Sequence, residues 1–318
     1  MTEQKGPWTD ARVAVLYGGE SEEREISLMT GRAMHEALFG LGYEVDLVDA
    51  TSHGLLELAK NPPDVAVIAL HGNLGENGAV QGLLECLQVP YTGSGVHGCA
   101  VTMNKATAKA LWKAAGIDTP AWQLLDRATV REMLTRDSLE APLPCVIKPA
   151  LSGSSVGITL VKTSDQFYPA LEAALDCAGP VLMESLVEGR ELTVALMDGD
   201  PMGVIEIKPD RAFYDFEAKY RDAGTSYICP APLARKVHNR VVNAATAANQ
   251  VVGCRGVTRV DFMLDAQDVP WILELNTMPG MTPTSLVPKA AEAAGIDFPR
   301  FIQMMLNRAT VDNDSLYA

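Results

Sequence analysis

Two carboxylates, a guanidinium and a side-chain amide fall close together in the stretch GVTRVDFMLDAQDVPWILELNTMPGMTPTSL, residues 256–286: Arg259, Asp261, Glu274 and Asn276. Two apolar-rich runs flank the turn-forming DAQD, so an antiparallel hairpin is expected, with Asp261 opposite Glu274. Strand side chains alternate between faces, which then sets every other pair. One face joins Val260 to Leu275, Phe262 to Leu273 and Leu264 to Trp271, and belongs in a core. The other collects the four polar groups. Like charges directly opposite each other disfavour a strand pair by roughly 0.2–1 kcal/mol, so the two acids need a cation. Arg259 can supply it. A hard divalent ion such as Mg²⁺, which takes one or two carboxylates with phosphate oxygens completing its shell, is the alternative, and Asn276 would add a neutral oxygen. The hairpin alone leaves both open.

The rest of the chain has to place this face. With 318 residues the chain exceeds one comfortable core, and two or three domains are expected. A hydrophobic fraction of 47% and aromatics at 6% are ordinary for a globular protein. The net charge of −14 argues against broad electrostatic binding to nucleic acid or to an anionic membrane, so a polyanionic ligand needs its own lysines and arginines. Six cysteines without CxxC spacing read as buried free thiols of a reducing compartment. The start MTEQKGPWTD has no secretory pattern and no apolar run reaches membrane-spanning length, so a cytoplasmic protein is expected.

Residues 12–17, 43–48 and 64–70 read as strands, with an amphipathic helix carrying Ile26, Met29, Ala33, Ala37 and Leu41 and a short helix over 55–60 between them. Strand, helix, strand, helix, strand implies a parallel α/β unit, whose ligands sit beyond the carboxyl ends of the strands. Those ends are the loops over residues 18–25 and 71–78, the second reading HGNLGENG. Gly18-Gly19 lacks the rest of a dinucleotide fingerprint. Glu23, Arg24 and Glu25 read equally as a charged helix start. His71 at a strand end reads as structural or functional.

A boundary near residues 90–98 precedes a helical run over 101–115. Residues 146–149 end a strand, LSGSSVG follows, and 158–162 is strand-like again. Glycine lets such a loop lay backbone N–H groups along a phosphate chain, but the loop enters a strand and is no Walker motif. A helix over 166–177 follows, then strands over 181–186, 191–197 and 202–208, with a second boundary near Val187 and an antiparallel, helix-covered unit after it. Glu184 and Glu191 punctuate apolar strands and need polar partners or an exposed edge. Residues 211–224 read as a long loop, 226–233 as extended, 235–252 as a packing helix and 298–308 as a closing helix.

Taken in order, GGESEEREISL, ALHGNLGENG, VPYTGSG, MNKATAK, VIKPALSGSSVG, VLMESLVEGREL, FYDFEAKY, TRVDFML and LELNTMPGMTPTSL resemble the D-alanine–D-alanine ligases of the ATP-grasp superfamily, over nearly all of residues 12–290. The resemblance implies an α/β fold: an N-terminal parallel α/β substrate-binding domain over residues 1–96, followed by a two-part ATP-grasp unit with antiparallel sheets. Its central subdomain would be 97–187 and its metal-binding C-terminal domain 188–318. It implies ATP as co-substrate, two Mg²⁺ ions (or Mn²⁺) on Asp261, Glu274 and Asn276, D-alanine as substrate, peptidoglycan precursor synthesis, and a homodimer.

By the same resemblance Lys105, Lys148 and Lys219 lie along the nucleotide, and Ser154 and Ser155 lie in the loop over the γ-phosphate. Glu184, Leu186 and Val187 frame the adenine, and Glu191 takes the ribose hydroxyls. Glu23 binds the ammonium of the first D-alanine with His71 nearby, and Ser285 and Leu286 hold the second substrate's carboxylate. Arg259 and the Gly280 N–H form the oxyanion site; Ser154 and Tyr220, linked to Glu23, close the lid. Relatives that make a D-lactate ester carry phenylalanine at the tyrosine position, so Tyr220 favours the dipeptide. Ser152 departs from the glutamate that many relatives place before the loop glycine. Rival readings are an ATP-grasp ligase for other acids and amines, a silent nucleotide-binding relative, and a dehydrogenase.

Overall fold

The computed structural model describes residues 6–135, 143–153, 157–177, 179–208 and 224–312. Strand β1 (Arg12–Tyr17) lies between β2 (Glu44–Asp49) and β3 (Val65–Ile68) in a parallel three-stranded sheet of order β2-β1-β3. Its apolar middle is buried on both faces, as a parallel strand covered by helices must be. Helices α1 (Arg24–Gly40) and α2 (Ser52–Lys60) make the crossovers. The loop after β3 holds more structure than its glycines suggest: α3 (Asn73–Glu76) and α4 (Ala79–Leu87) follow directly.

The helical run expected over 101–115 is two helices, α5 (Val96–Met103) and α6 (Lys105–Ala114). Asn104 divides them in extended conformation, and its side chain caps α6 by accepting from Thr107 N at 3.1 Å. The cap sets the start of α6, and so the direction of Lys105.

A four-stranded antiparallel sheet, order β4-β7-β5-β6, is built from β4 (Trp122–Leu125), β5 (Cys145–Pro149), β6 (Thr159–Val161) and β7 (Val181–Ser185). Helices α7 (Arg127–Thr135) and α8 (Phe167–Asp176) cover one face, where Cys145, Ile147, Val181 and Phe167 pack together. Alternation turns Val146 and Lys148 the other way.

The third sheet has five strands in the order β10-β9-β8-β11-β12: β8 (Arg190–Met197), β9 (Asp200–Lys208), β10 (Ser226–Ile228), β11 (Val257–Leu264) and β12 (Pro270–Asn276). Helix α9 (Arg235–Val251) packs Val241, Ala245 and Ala248 against Leu192, Val194, Val260, Phe262 and Ile272. Full burial of each of the Val, Leu, Ile and Phe side chains contributes about 1.5–3 kcal/mol. The opposite face meets α10 (Leu286–Ala293) and α11 (Phe298–Leu306), whose Phe301 and Ile302 share a cluster with Val13, Val15, Met34 and Leu38.

The expected hairpin is β11–β12, and its register holds for Val260↔Leu275, Asp261↔Glu274 and Arg259↔Asn276. Beyond Asp261 it slips: Phe262 pairs with Ile272, Met263 with Trp271 and Leu264 with Pro270. Leu273 is the extra residue of a bulge. Ile272 is therefore the core partner of Phe262, and Trp271 sits half-buried at the turn, donating from Nε1 to Asp265 Oδ2 at 2.8 Å. All six cysteines are free thiols, but only Cys99 and Cys145 are buried, and Cys86 is exposed. The expected loop over 211–224 lies, but for Gly224, outside the described residues.

Candidate active site

Between the four- and five-stranded sheets lies a cleft of ≈ 670 Å³. Val146, Ile158 and Leu160 form one apolar wall; Ile207, Met263 and Leu273 form the other. Leu186 and Val187, in the segment joining β7 to β8, line it together with Glu191, and Lys148, Glu184, Asp261 and Glu274 line its polar part. An apolar slot with a few convergent charges suits a flat aromatic base carrying an anionic tail. The bulge in β12 makes this wall: with one residue inserted, Leu273 and Glu274 both turn to the cleft, where strict alternation would have sent Leu273 into the core.

At the polar end Arg259 grips Asp261, with Nε to Oδ1 at 2.9 Å and Nη2 to Oδ2 at 2.8 Å. Thr193 Oγ1 donates to Asp261 Oδ1 at 2.6 Å and Asn276 Nδ2 to Oδ2 at 3.0 Å. Arg259 is thus the counter-ion of its neighbour, the first of the two readings the hairpin allowed. Glu274 is met by Lys105, Nζ to Oε2 at 3.4 Å, and Lys105 also donates to the carbonyl of Ser152 at 2.6 Å. Among the described residues no group of three or more His, Cys, Asp or Glu could hold a metal. The set here is two carboxylates and an amide. Asn276 turns its nitrogen to Asp261, so its oxygen is the atom it can offer a cation, and three hard oxygens fit Mg²⁺.

Behind the cleft, Glu184 takes Lys148 on Oε1 and Lys109 on Oε2, the latter at 2.9 Å. Burial pushes the Glu184 carboxyl up, and the two ammonium groups more than offset it, leaving it below the ordinary glutamate value. Lys109 is wholly buried; it donates to Thr119 Oγ1 at 2.6 Å, and Thr119 in turn donates to the Ile272 carbonyl at 2.9 Å. Burial holds the Lys109 ammonium down at about 8, against the pull of Glu184. The sequence reading passed over Lys109. Its signal was the spacing in MNKATAK, since a lysine four residues after Lys105 lies on the same face of α6.

The loops at the carboxyl ends of β1 and β3 carry a second acidic group. Gly72, at φ +66°, leaves its Cβ position 2.6 Å from Glu23 Oε2, and a Cβ on Gly153 would stand 3.6 Å from both Glu23 Oε2 and Glu76 Oε2. The start of the phosphate-type loop therefore rests on two carboxylates. Glu76, also absent from the sequence reading, is pushed up to about 7 by burial and by Glu23, with the Gly72 backbone and Lys105 pulling it back. His71 is pushed down to about 4, chiefly by burial; its Nε2 lies 2.9 Å from Thr30 Oγ1 and its Nδ1 4.0 Å from Glu76 Oε1. At neutral pH it is uncharged.

A Cβ on Gly280 would stand 3.0 Å from Ser285 Oγ, and Ser285 is the N-cap of α10, whose first residue is Leu286. That helix start presents free N–H groups to an anion. Arg24 follows the structural reading, bridging Asp49 at 2.6 Å and the Gly19 carbonyl. Ser154, Ser155, Lys219 and Tyr220 lie outside the described residues.

A family description, "D-ala D-ala ligase C-terminus", matches residues 111–307, and "D-ala D-ala ligase N-terminus" matches 57–94. The D-alanine–D-alanine ligase of Anaeromyxobacter sp. (strain Fw109-5) is 46% identical over 306 residues, 96% of this chain and 99% of that one. The ligase of Gloeobacter violaceus is 45% identical over 94% of this chain and 99% of its own. The crystal structure of D-alanine–D-alanine ligase from Bacillus anthracis complexed with ATP superposes with a TM-score of 0.78 at 33% identity, covering 93% of this chain and 95% of that one. VanG D-Ala:D-Ser ligase from Enterococcus faecalis gives 0.76 at 26% identity, over 92% and 98%. This chain belongs to the D-alanine–D-alanine ligase family of ATP-grasp enzymes.

Proposed function

We propose that this chain joins two D-alanine molecules to D-alanyl-D-alanine at the expense of ATP, in the supply of peptidoglycan precursors. One observation carries the reading. Lys105, Ser152, Gly153, Glu274 and Asn276 meet Glu76 in a single small pocket, so the phosphate end of the nucleotide cleft opens onto the acidic substrate loops.

The reaction has two steps. The carboxylate of the first D-alanine attacks the γ-phosphorus of ATP, ADP leaves, and an acyl phosphate results. The amine of the second D-alanine then attacks the acyl carbon, and phosphate leaves as the amide forms and the amine proton is lost. The apolar walls with Leu186 and Val187 hold the base beside Glu184, and Glu191 takes the ribose. Lys105, Lys148 and Lys219 neutralise phosphoryl charge, and Ser154 and Ser155 cover the γ-phosphate. Glu23 takes the ammonium of the first substrate, beside a neutral His71. Ser285 and the Leu286 N–H take the carboxylate of the second. Arg259, released from Asp261, and the Gly280 N–H stabilise the tetrahedral oxyanion. Tyr220 and Ser154 shut water away from the acyl phosphate. Asp261, Glu274 and Asn276 would hold Mg²⁺ or Mn²⁺, two ions per site, which when bound supply charge neutralisation to the β- and γ-phosphates.

The proposal extends to three units over residues 1–96, 97–187 and 188–318, each carrying one of the three sheets, and to a cytoplasmic homodimer. Among the described residues no helix is long and apolar enough to cross a membrane. Glu274→Gln tests the metal reading: kcat should fall about a hundredfold or more with an unchanged melting curve. Near-normal turnover would remove Glu274 from the ligand set.

A further inference from the structure

Lys109 has no place in the reaction as described. It is fully buried on α6, one turn beyond Lys105, and takes no part in lining the cleft. Its ammonium forms an ion pair with Glu184 Oε2 at 2.9 Å, donates a hydrogen bond to Thr119 Oγ1, and lies 5.8 Å from the centre of the Trp122 ring. Glu184, 4% exposed, does line the cleft, as does its other cation, Lys148.

This division of labour has a chemical consequence once nucleotide binds. A Lys148 that turns toward phosphate oxygens leaves Glu184, and a buried carboxylate without a cation takes up a proton. A protonated Glu184 would offer a donor to the base, where the 6-amino group of adenine needs an acceptor. Lys109, buried and held by Thr119, which is itself anchored on the Ile272 carbonyl, does not follow Lys148.

We propose that Lys109 is a positioning residue for base selection: it holds Glu184 ionised and in place as an acceptor for the adenine 6-amino group while Lys148 serves the phosphates. The inference rests on the nucleotide site proposed above. An ionised Glu184 accepts from a 6-amino group and repels a 6-oxo group, so the readout is the ratio of kcat/KM for ATP to that for ITP.

Lys109→Met and Lys109→Gln remove the charge, and each should reduce that ratio by about tenfold or more, with KM for D-alanine unchanged. Lys109→Arg keeps the charge and should hold the ratio within about threefold of wild type. Glu184→Ala is the control. If Glu184→Ala leaves the ratio unchanged, the nucleotide-site reading fails. If Glu184→Ala collapses the ratio while a folded Lys109→Met or Lys109→Gln preserves it, Lys109 does not position Glu184 and the inference is overturned. A purely structural lysine would lower the melting temperature of all its variants without moving base preference.

Discussion

Glu76 shows how one side chain can tie the loops after β1 and β3 to pH. Its carboxyl is raised to about 7 by burial and by Glu23, so the protonated form suits the folded protein better than the ionised one. Its contribution to stability is full below the unfolded value of about 4.5 and is lost as pH rises through about 7. Glu76→Gln keeps a neutral side chain at every pH. Relative to wild type, its melting temperature should rise at about pH 8 and be unchanged at about pH 4.5; equal shifts at both would remove Glu76 as the source. At this scale the sequence was legible where a residue's type dictates its partner. Asp261, Glu274 and Asn276 were placed on one face by alternation alone. The spacing in MNKATAK made Lys109 legible only as a lysine on the face of Lys105; its burial against Glu184, like the placing of Glu76 by a short helix inside a glycine-rich loop, is set by packing.

Among the elements, the β11–β12 hairpin carries most of the site and departs furthest from its pattern. Strict alternation puts Leu273 opposite Phe262 in the core, whereas the bulge substitutes Ile272 and gives Leu273 to the cleft wall. Nothing in the local sequence marks the inserted residue. The slip is fixed by the whole sheet, because β8 pairs continuously with β11 from Val257↔Met197 to Leu264↔Arg190 and holds it straight on the other side. The two adjacent residues should respond differently. Ile272→Ala leaves a cavity against Phe262 and α9 and should cost about 2–5 kcal/mol in denaturant unfolding. Leu273→Ala should cost about 1 kcal/mol or less while raising KM for ATP several-fold. The opposite pattern would restore the unbulged register.

At the scale of the whole molecule, a chain with excess acid still places cations where two of its sheets meet. A chain of net charge −14 sets Lys105, Lys109, Lys148 and Arg259 at or beside the cleft and the small pocket next to it, each against a carboxylate. The parallel unit was legible as alternating strands and helices, and β5 to β9, β11 and β12 as strand runs; β4 and α7 were not, and the strand orders of the two antiparallel sheets are set by tertiary pairing. The return of the C-terminal helices to the N-terminal sheet was not legible either, since Phe301 and Ile302 meeting Val13 and Val15 is a contact no local pattern encodes. That return seats the N-terminal sheet against the C-terminal helices, and Glu76 from the loop after β3 lines one small pocket with Lys105, Glu274 and Asn276. The most direct test is phosphate release with Mg²⁺ and ATP, screened across D- and L-amino acids and D-lactate, with the product identified by mass. The expected result is release stimulated by D-alanine, absent without Mg²⁺, with D-alanyl-D-alanine as product. No stimulation by D-alanine alongside turnover of another amino or hydroxy acid would contradict the account.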